Sequence, residues 1–176
     1  MTNDPPKPAQ ELDEETIAFA QRVFQHARAG QVQELGDLLQ MGLPPNLRNE
    51  KGDSLLMLAS YHGHAEAVRL LLDHGADPDL SNDRGQTPLA GAAFKGDMAS
   101  VESLLDGGAD VNGRGEGGKT AVMIAAMFNR VEIVETLLAR GADAQARDAG
   151  GLTAEALAGA MGASDTAELL ARSAQS

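Results

Sequence analysis

Apolar residues recur along the chain in one figure: Val68, Leu71 and Leu72, then Val101, Leu104 and Leu105, then Val134, Leu137 and Leu138. The i, i+3, i+4 spacing puts each trio on a single stripe of an α-helix. A shorter apolar stretch precedes each stripe. In the segment Gly85–Gly117, Thr87 and Pro88 open a first helix. The hydroxyl can cap free amides, and proline has a fixed φ where no N–H is needed. That helix stops near Gly96, and the second ends at Gly108, where glycine can enter the left-handed region. The polar stretch Asp110–Gly117 is turn chemistry. The pattern predicts helix pairs Ser54–Tyr61 with Ala65–Asp73, Thr87–Phe94 with Ala99–Asp106, and Thr120–Phe128 with Glu132–Arg140.

These figures repeat at an interval of 33 residues. Gly52, Gly85, Gly118 and Gly151 keep it, as do Gly42, Gly75, Gly108 and Gly141. So do Leu38, Leu71, Leu104, Leu137 and Leu170, and the small residues Ala59, Ala92, Ala125 and Ala158. No single unit can bury its own stripe. The units must stack.

The stretches "GDSLLMLASYHGHAEAVRLLLDHGADPD" (52–79), "GQTPLAGAA" with "SVESLLDGGADVN" (85–112) and "GKTAVMIAA" with "VEIVETLLARGAD" (118–143) carry a likeness to a known family. The chain resembles the ankyrin repeat family from about residue 19 to 176. The resemblance implies an all-α solenoid of four to five stacked helix-turn-helix units with projecting β-turns. The units would be a cap at 19–51, then 52–84, 85–117, 118–150 and a second cap at 151–176. Together they make one repeat domain, 15–176, behind an acidic, proline-rich tail at 1–14 that is expected to be disordered. The family's histidine after Thr-Pro-Leu is replaced here by Met57, Ala90, Met123 and Ala156. Packing must then do more and a polar network less, with Met57 and Met123 as fillers.

Composition narrows the chemistry. Apolar residues make up 43% and aromatic ones only 3%, so the core must be Leu, Val and Ala at close approach. With no cysteine there is no disulfide, thiolate metal site or cysteine nucleophile. A net charge of −12 argues against phosphate backbones and anionic lipid as partners. Residues 1–18 lack the basic start and apolar run of a secretory signal, and the longest apolar run, Ala121–Phe128, is too short to span a membrane. A cytoplasmic, monomeric protein is the expectation.

Three patterns suggest catalysis or ligand binding. Gly113–Thr120 matches Gly-x-x-x-x-Gly-Lys-Thr, in which backbone amides cradle phosphates. A nucleotide-binding or enzymatic protein built on that loop is the alternative reading. It would need a strand before the loop, and no apolar run precedes it; Gly118 and Thr120 already belong to the repeat register. His62, His64 and His74 lie close in sequence but lack a fourth ligand at fitting spacing. Asp77, Asp110 and Asp143 share one register, which points to turn and cap roles. The sequence shows no catalytic, cofactor or metal residue.

The resemblance instead implies a non-catalytic module that binds an unidentified partner protein on its concave face, acting as adaptor, regulator or scaffold. In such stacks that face is made by the ends of the first helices and by the projecting turns. Mapped here, these are Tyr61, His62, Phe94, Lys95, Met127 and Phe128, with Asp53, Arg84, Gln86 and Lys119 on the turns. Their rival role is packing against the adjacent unit.

Overall fold

The computed structural model describes residues 14–176. The expectation for the tail, 1–14, lies outside the described residues except at Glu14, which begins a helix. Five helix pairs follow: α1 (Glu14–Ala29) with α2 (Val32–Gln40), α3 (Leu55–Tyr61) with α4 (Ala65–Asp73), α5 (Pro88–Lys95) with α6 (Met98–Asp106), α7 (Ala121–Met127) with α8 (Val131–Ala139), and α9 (Ala154–Ala160) with α10 (Ser164–Ser173). Among the described residues there is no strand, only an isolated bridge between Arg48 and Ser54. The odd-numbered helices pack in one row and the even-numbered in a second, each helix touching its row neighbours and its pair partner. This is an all-α repeat solenoid.

Local chemistry explains each element. Ser54, Thr87 and Thr153 accept the amides of Met57, Ala90 and Ala156 at 3.0, 3.2 and 3.3 Å, capping α3, α5 and α9. Four second helices, α2, α4, α6 and α8, end at a left-handed glycine: Gly42, Gly75, Gly108 and Gly141 have φ between 87° and 99°. The next amide then reaches back to the leucine series, Ala76 N–H to Leu71 O and Ala109 N–H to Leu104 O, at 3.0 and 2.9 Å. The first helices stop in the same way at Gly63, Gly96 and Gly162, and at Asn129, whose φ is 56°. The amide that follows bonds to the small-residue series at Ala59, Ala92, Ala125 and Ala158. Two of the series read from the sequence are therefore carbonyls that close helices.

Packing completes the stack. Val68, Leu71, Val101, Leu104, Val134 and Leu137 are fully buried in a core cluster that runs the length of the described chain. Met57 and Met123 are buried where the resemblance leads one to look for histidine. The last unit has Glu155 where Leu56, Leu89 and Val122 are buried, and it is exposed, as suits a terminal unit.

Candidate functional site

The turns between units project beside the first-helix row, and side chains tie them together. Asn49, Asn82 and Asp148 fold back on their own turns, each side-chain oxygen accepting two amides at 2.9–3.1 Å. Arg48 donates to Ser81 O at 3.0 Å and Arg114 to Arg147 O at 2.6 Å, clasping successive turns. A second ladder runs below: Asn46, Asp79 and Asn112 accept the amides of Asp77, Asp110 and Asp143 at 2.8–2.9 Å. The repeating aspartates are thus turn residues.

Unit three lacks the turn-folding side chain, having Gly115 in its place. Its glycines answer to neighbouring backbone: a Cβ on Gly115 would lie 2.9 Å from Gly85 O, and one on Gly118 3.0 Å from Ala149 N. Gly118 also has φ 72°. No strand precedes this loop among the described residues, and only a seven-residue helix follows it. Lys119 Nζ sits 3.4 Å from Asp148 Oδ2. The stretch that resembles a phosphate loop is a turn shaped by stacking.

Two of the three clustered histidines are also committed. His64 Nε2 donates to Arg28 O at 2.8 Å, because a carbonyl can only accept, and His74 Nδ1 donates to Leu70 O at 2.9 Å. No cluster of three or more side chains able to hold a metal occurs among the described residues.

The residues at the first-helix ends form a ladder. Tyr61 and Phe94 stack with ring centroids 5.4 Å apart and planes 9° apart, and Phe94 meets Phe128 edge-on at 4.8 Å. Tyr61, Phe94 and Phe128 remain 43%, 37% and 39% exposed. Phe128, one position past the repeat interval, takes the third place, while Met127 is half-buried against the core. His62 and Lys95 are exposed beside the rings. The His62 ring is held below its ordinary 6.5 by burial first, then by the positive charges of His64, Arg28 and Lys95.

The turn residues separate into two kinds. Asp53 accepts from Asn82 Nδ2 at 2.8 Å and Asn49 Nδ2 at 3.3 Å, and Lys119 pairs with Asp148, so both brace the turns. The exposed Arg84 and the half-buried Gln86 both reach Glu116, at 3.9 and 3.3 Å. Between the ladder and the turns lies a groove of about 490 Å³, lined by Met57, Tyr61, Gln86, Gly91, Phe94 and Lys119 among others. Sequence reasoning missed Arg28, which lines the cavity beside this groove, and Ile124, which lines the groove itself. Lys51, also in that cavity, falls where the repeat register puts the projecting turns. Arg28 could have been found, being 33 residues before Tyr61.

Comparison with known proteins follows the same pattern. The family model described as ankyrin repeats, in three copies, matches residues 23–115 and 91–176. A protein of Pseudomonas aeruginosa, named as an ankyrin repeat protein, is 66% identical over 67 residues. That match spans 38% of this chain and 38% of the relative's length.

Proposed function

Because the chain belongs to the ankyrin repeat family, we propose that it is a non-catalytic module that holds a partner protein on its concave face. It would serve there as adaptor, regulator or scaffold, as a monomer in the cytoplasm, without nucleic acid or membrane as partner. Proteins of this family generally act by binding other proteins, and the site must carry the rest of the argument. The observation that carries it is the ladder Tyr61–Phe94–Phe128. Three of the chain's five aromatic rings stand half exposed in one line, although a core short of aromatics would gain by burying them. Partly exposed rings beside charged turns have the composition of an interface hot spot. No observation favours the alternative, a nucleotide-binding or enzymatic role for Gly113–Thr120, since its lysine is paired and its glycines are explained by packing.

A photo-crosslinking residue placed at Phe128 in the full chain should trap a protein partner in cells, and one at Glu102 on the second-helix row should not. Phe94→Ala should weaken that trapping by roughly tenfold or more. Equal trapping at both positions, or trapping indifferent to Phe94→Ala, overturns the reading.

A further inference from the structure

Next to the apolar groove lies a second cavity of about 300 Å³ with different chemistry. Arg28, Lys51, His62 and Arg84 line it, and Asp53 is its only carboxylate. Asp53 is already engaged by Asn82 and Asn49. Arg28 and Lys51 enter none of the ion pairs formed among the described residues, and Arg84 reaches Glu116 only at 3.9 Å with both side chains exposed. The two cavities adjoin, sharing Met57, Tyr61 and Gln86. One therefore offers uncompensated cations, and the other an apolar floor of Ala90, Gly91, Phe94 and Ile124.

The whole-chain charge runs the other way, at −12. Its location resolves the contrast. Each of α2, α4, α6 and α8 carries two acids, and Arg69 is the sole base among them. Helices α3, α5 and α7 carry no acid at all. The second-helix row therefore holds a large excess of acids. The groove and its adjoining cavity are lined by Arg28, Lys51, Arg84 and Lys119 against Asp53 and Glu116, a net cationic strip.

We propose that the groove receives an extended, acidic segment of a partner polypeptide, with a carboxylate between Arg28 and Lys51 and an adjacent apolar side chain on Phe94. This rests on the reading of the ladder as a partner surface. It adds the class of partner. An isolated phosphate chain fits less well, because the net charge repels it. Tyr61 and Phe94 also already face each other, leaving no gap between them for a base to stack. Opposite charge across the groove would speed encounter and select the partner, while the apolar contact would hold it.

The test uses the full chain and two short blocked peptides that share a Leu-Phe centre, one flanked by Glu and the other by Lys. In NMR titrations the Glu-flanked peptide should shift the signals of Met57, Tyr61 and Phe94 and leave those of α4 and α6 in place. Its binding should weaken about tenfold in Arg28→Gln with Lys51→Glu, and weaken again as salt is raised. The Lys-flanked peptide should not bind. Equal binding of both peptides, shifts confined to α4 and α6, or no shift from either overturns the proposal. So does displacement of the peptide by oligothymidylate, which would assign the groove to nucleic acid. Groove signals that move on deletion of residues 1–13 would assign it to the chain's own N-terminal segment, and concentration-dependent dimers in light scattering would assign it to a second copy. The two readings fail separately. If trapping depends on Phe94 but both peptides bind alike, the surface stands and the acidic selectivity falls; if trapping ignores Phe94→Ala, the surface itself falls.

Discussion

At the residue scale, one cap departs from its equivalents. Ser54, Thr87 and Thr153 each accept an amide, whereas the buried Thr120 is set with Met123 in the arrangement of a capping box. It makes no side-chain cap hydrogen bond of ordinary geometry, and its hydroxyl has no hydrogen-bond partner among the described residues. The amide of Thr120 donates instead to Met123 Sδ at 3.5 Å. A buried unpaired hydroxyl costs about 1–3 kcal/mol, so Thr120→Val should be neutral or stabilising in urea denaturation. Thr87→Val loses a working cap and should cost about 1 kcal/mol. Equal losses for the two would mean that the Thr120 hydroxyl is satisfied after all. Two titrating groups add an acid sensitivity. The Asp148 carboxyl is held below its ordinary 3.8 chiefly by the Leu152 amide, against the opposing effect of burial, with help from the Gly150 amide and Lys119. Its contribution is complete above 3.8 and is lost as pH falls through the lower folded value. His62, also lowered, takes its proton more readily when unfolded, so stability declines as pH drops below 6.5. Thermal melts against pH should show His62→Gln flattening the upper part of this decline and Asp148→Asn the lower part. Unchanged profiles would remove both groups from the account.

At the scale of the element, the helix ends do as much as the stripes. Asn129 occupies the left-handed position that glycine holds in the other units, and its amide group binds Asp165 at 3.0 Å and accepts the Thr166 amide at 3.1 Å. It thereby ties the end of α7 to the start of α10. Asn129→Gly keeps the backbone easy but loses both bonds, whereas Asn129→Ala loses them and adds about 1–2 kcal/mol of left-handed strain. The expected order of stability is wild type, then Gly, then Ala, and a reversed order would show that the side-chain bonds contribute nothing. In the stripes, Leu71 and Leu104 are completely buried, so Leu71→Ala and Leu104→Ala should each cost about 2–5 kcal/mol.

Across the molecule, the described helices touch chiefly their pair partners and the same row of the next unit, with α7 also meeting α10. Stability is then close to a sum of unit and interface terms. Leu104→Ala should accelerate hydrogen exchange first in α5 and α6, next in α3, α4, α7 and α8, and least in α1 and α10. Uniform acceleration along the chain would instead mean one indivisible cooperative unit. The same linear arrangement lets charge separate by row, so that a strongly acidic chain can offer a cationic groove.

How much of this was legible depends on distance along the chain. The repeat interval, the helix pairs to within a residue at most ends, and the glycine stops follow from the sequence, because each unit meets the same local backbone requirement and answers it with the same residue type. Left-handed stops favour glycine, with Asn129 the one exception among the described helix stops, stripes favour Leu and Val, and both recur at 33. The site was legible only in part. Repetition located the first-helix ends, but only the stacking of one unit on the next decided that Phe128 joins Phe94 while Met127 turns inward. Stacking also decided that Lys119 is spent on Asp148, that Arg48 and Arg114 clasp neighbouring turns, and that Arg28 and Lys51 are left over beside Tyr61. These outcomes turn on which side chains meet across an interface, and periodicity records what each unit has in common, whereas a binding groove is made by what each unit does differently.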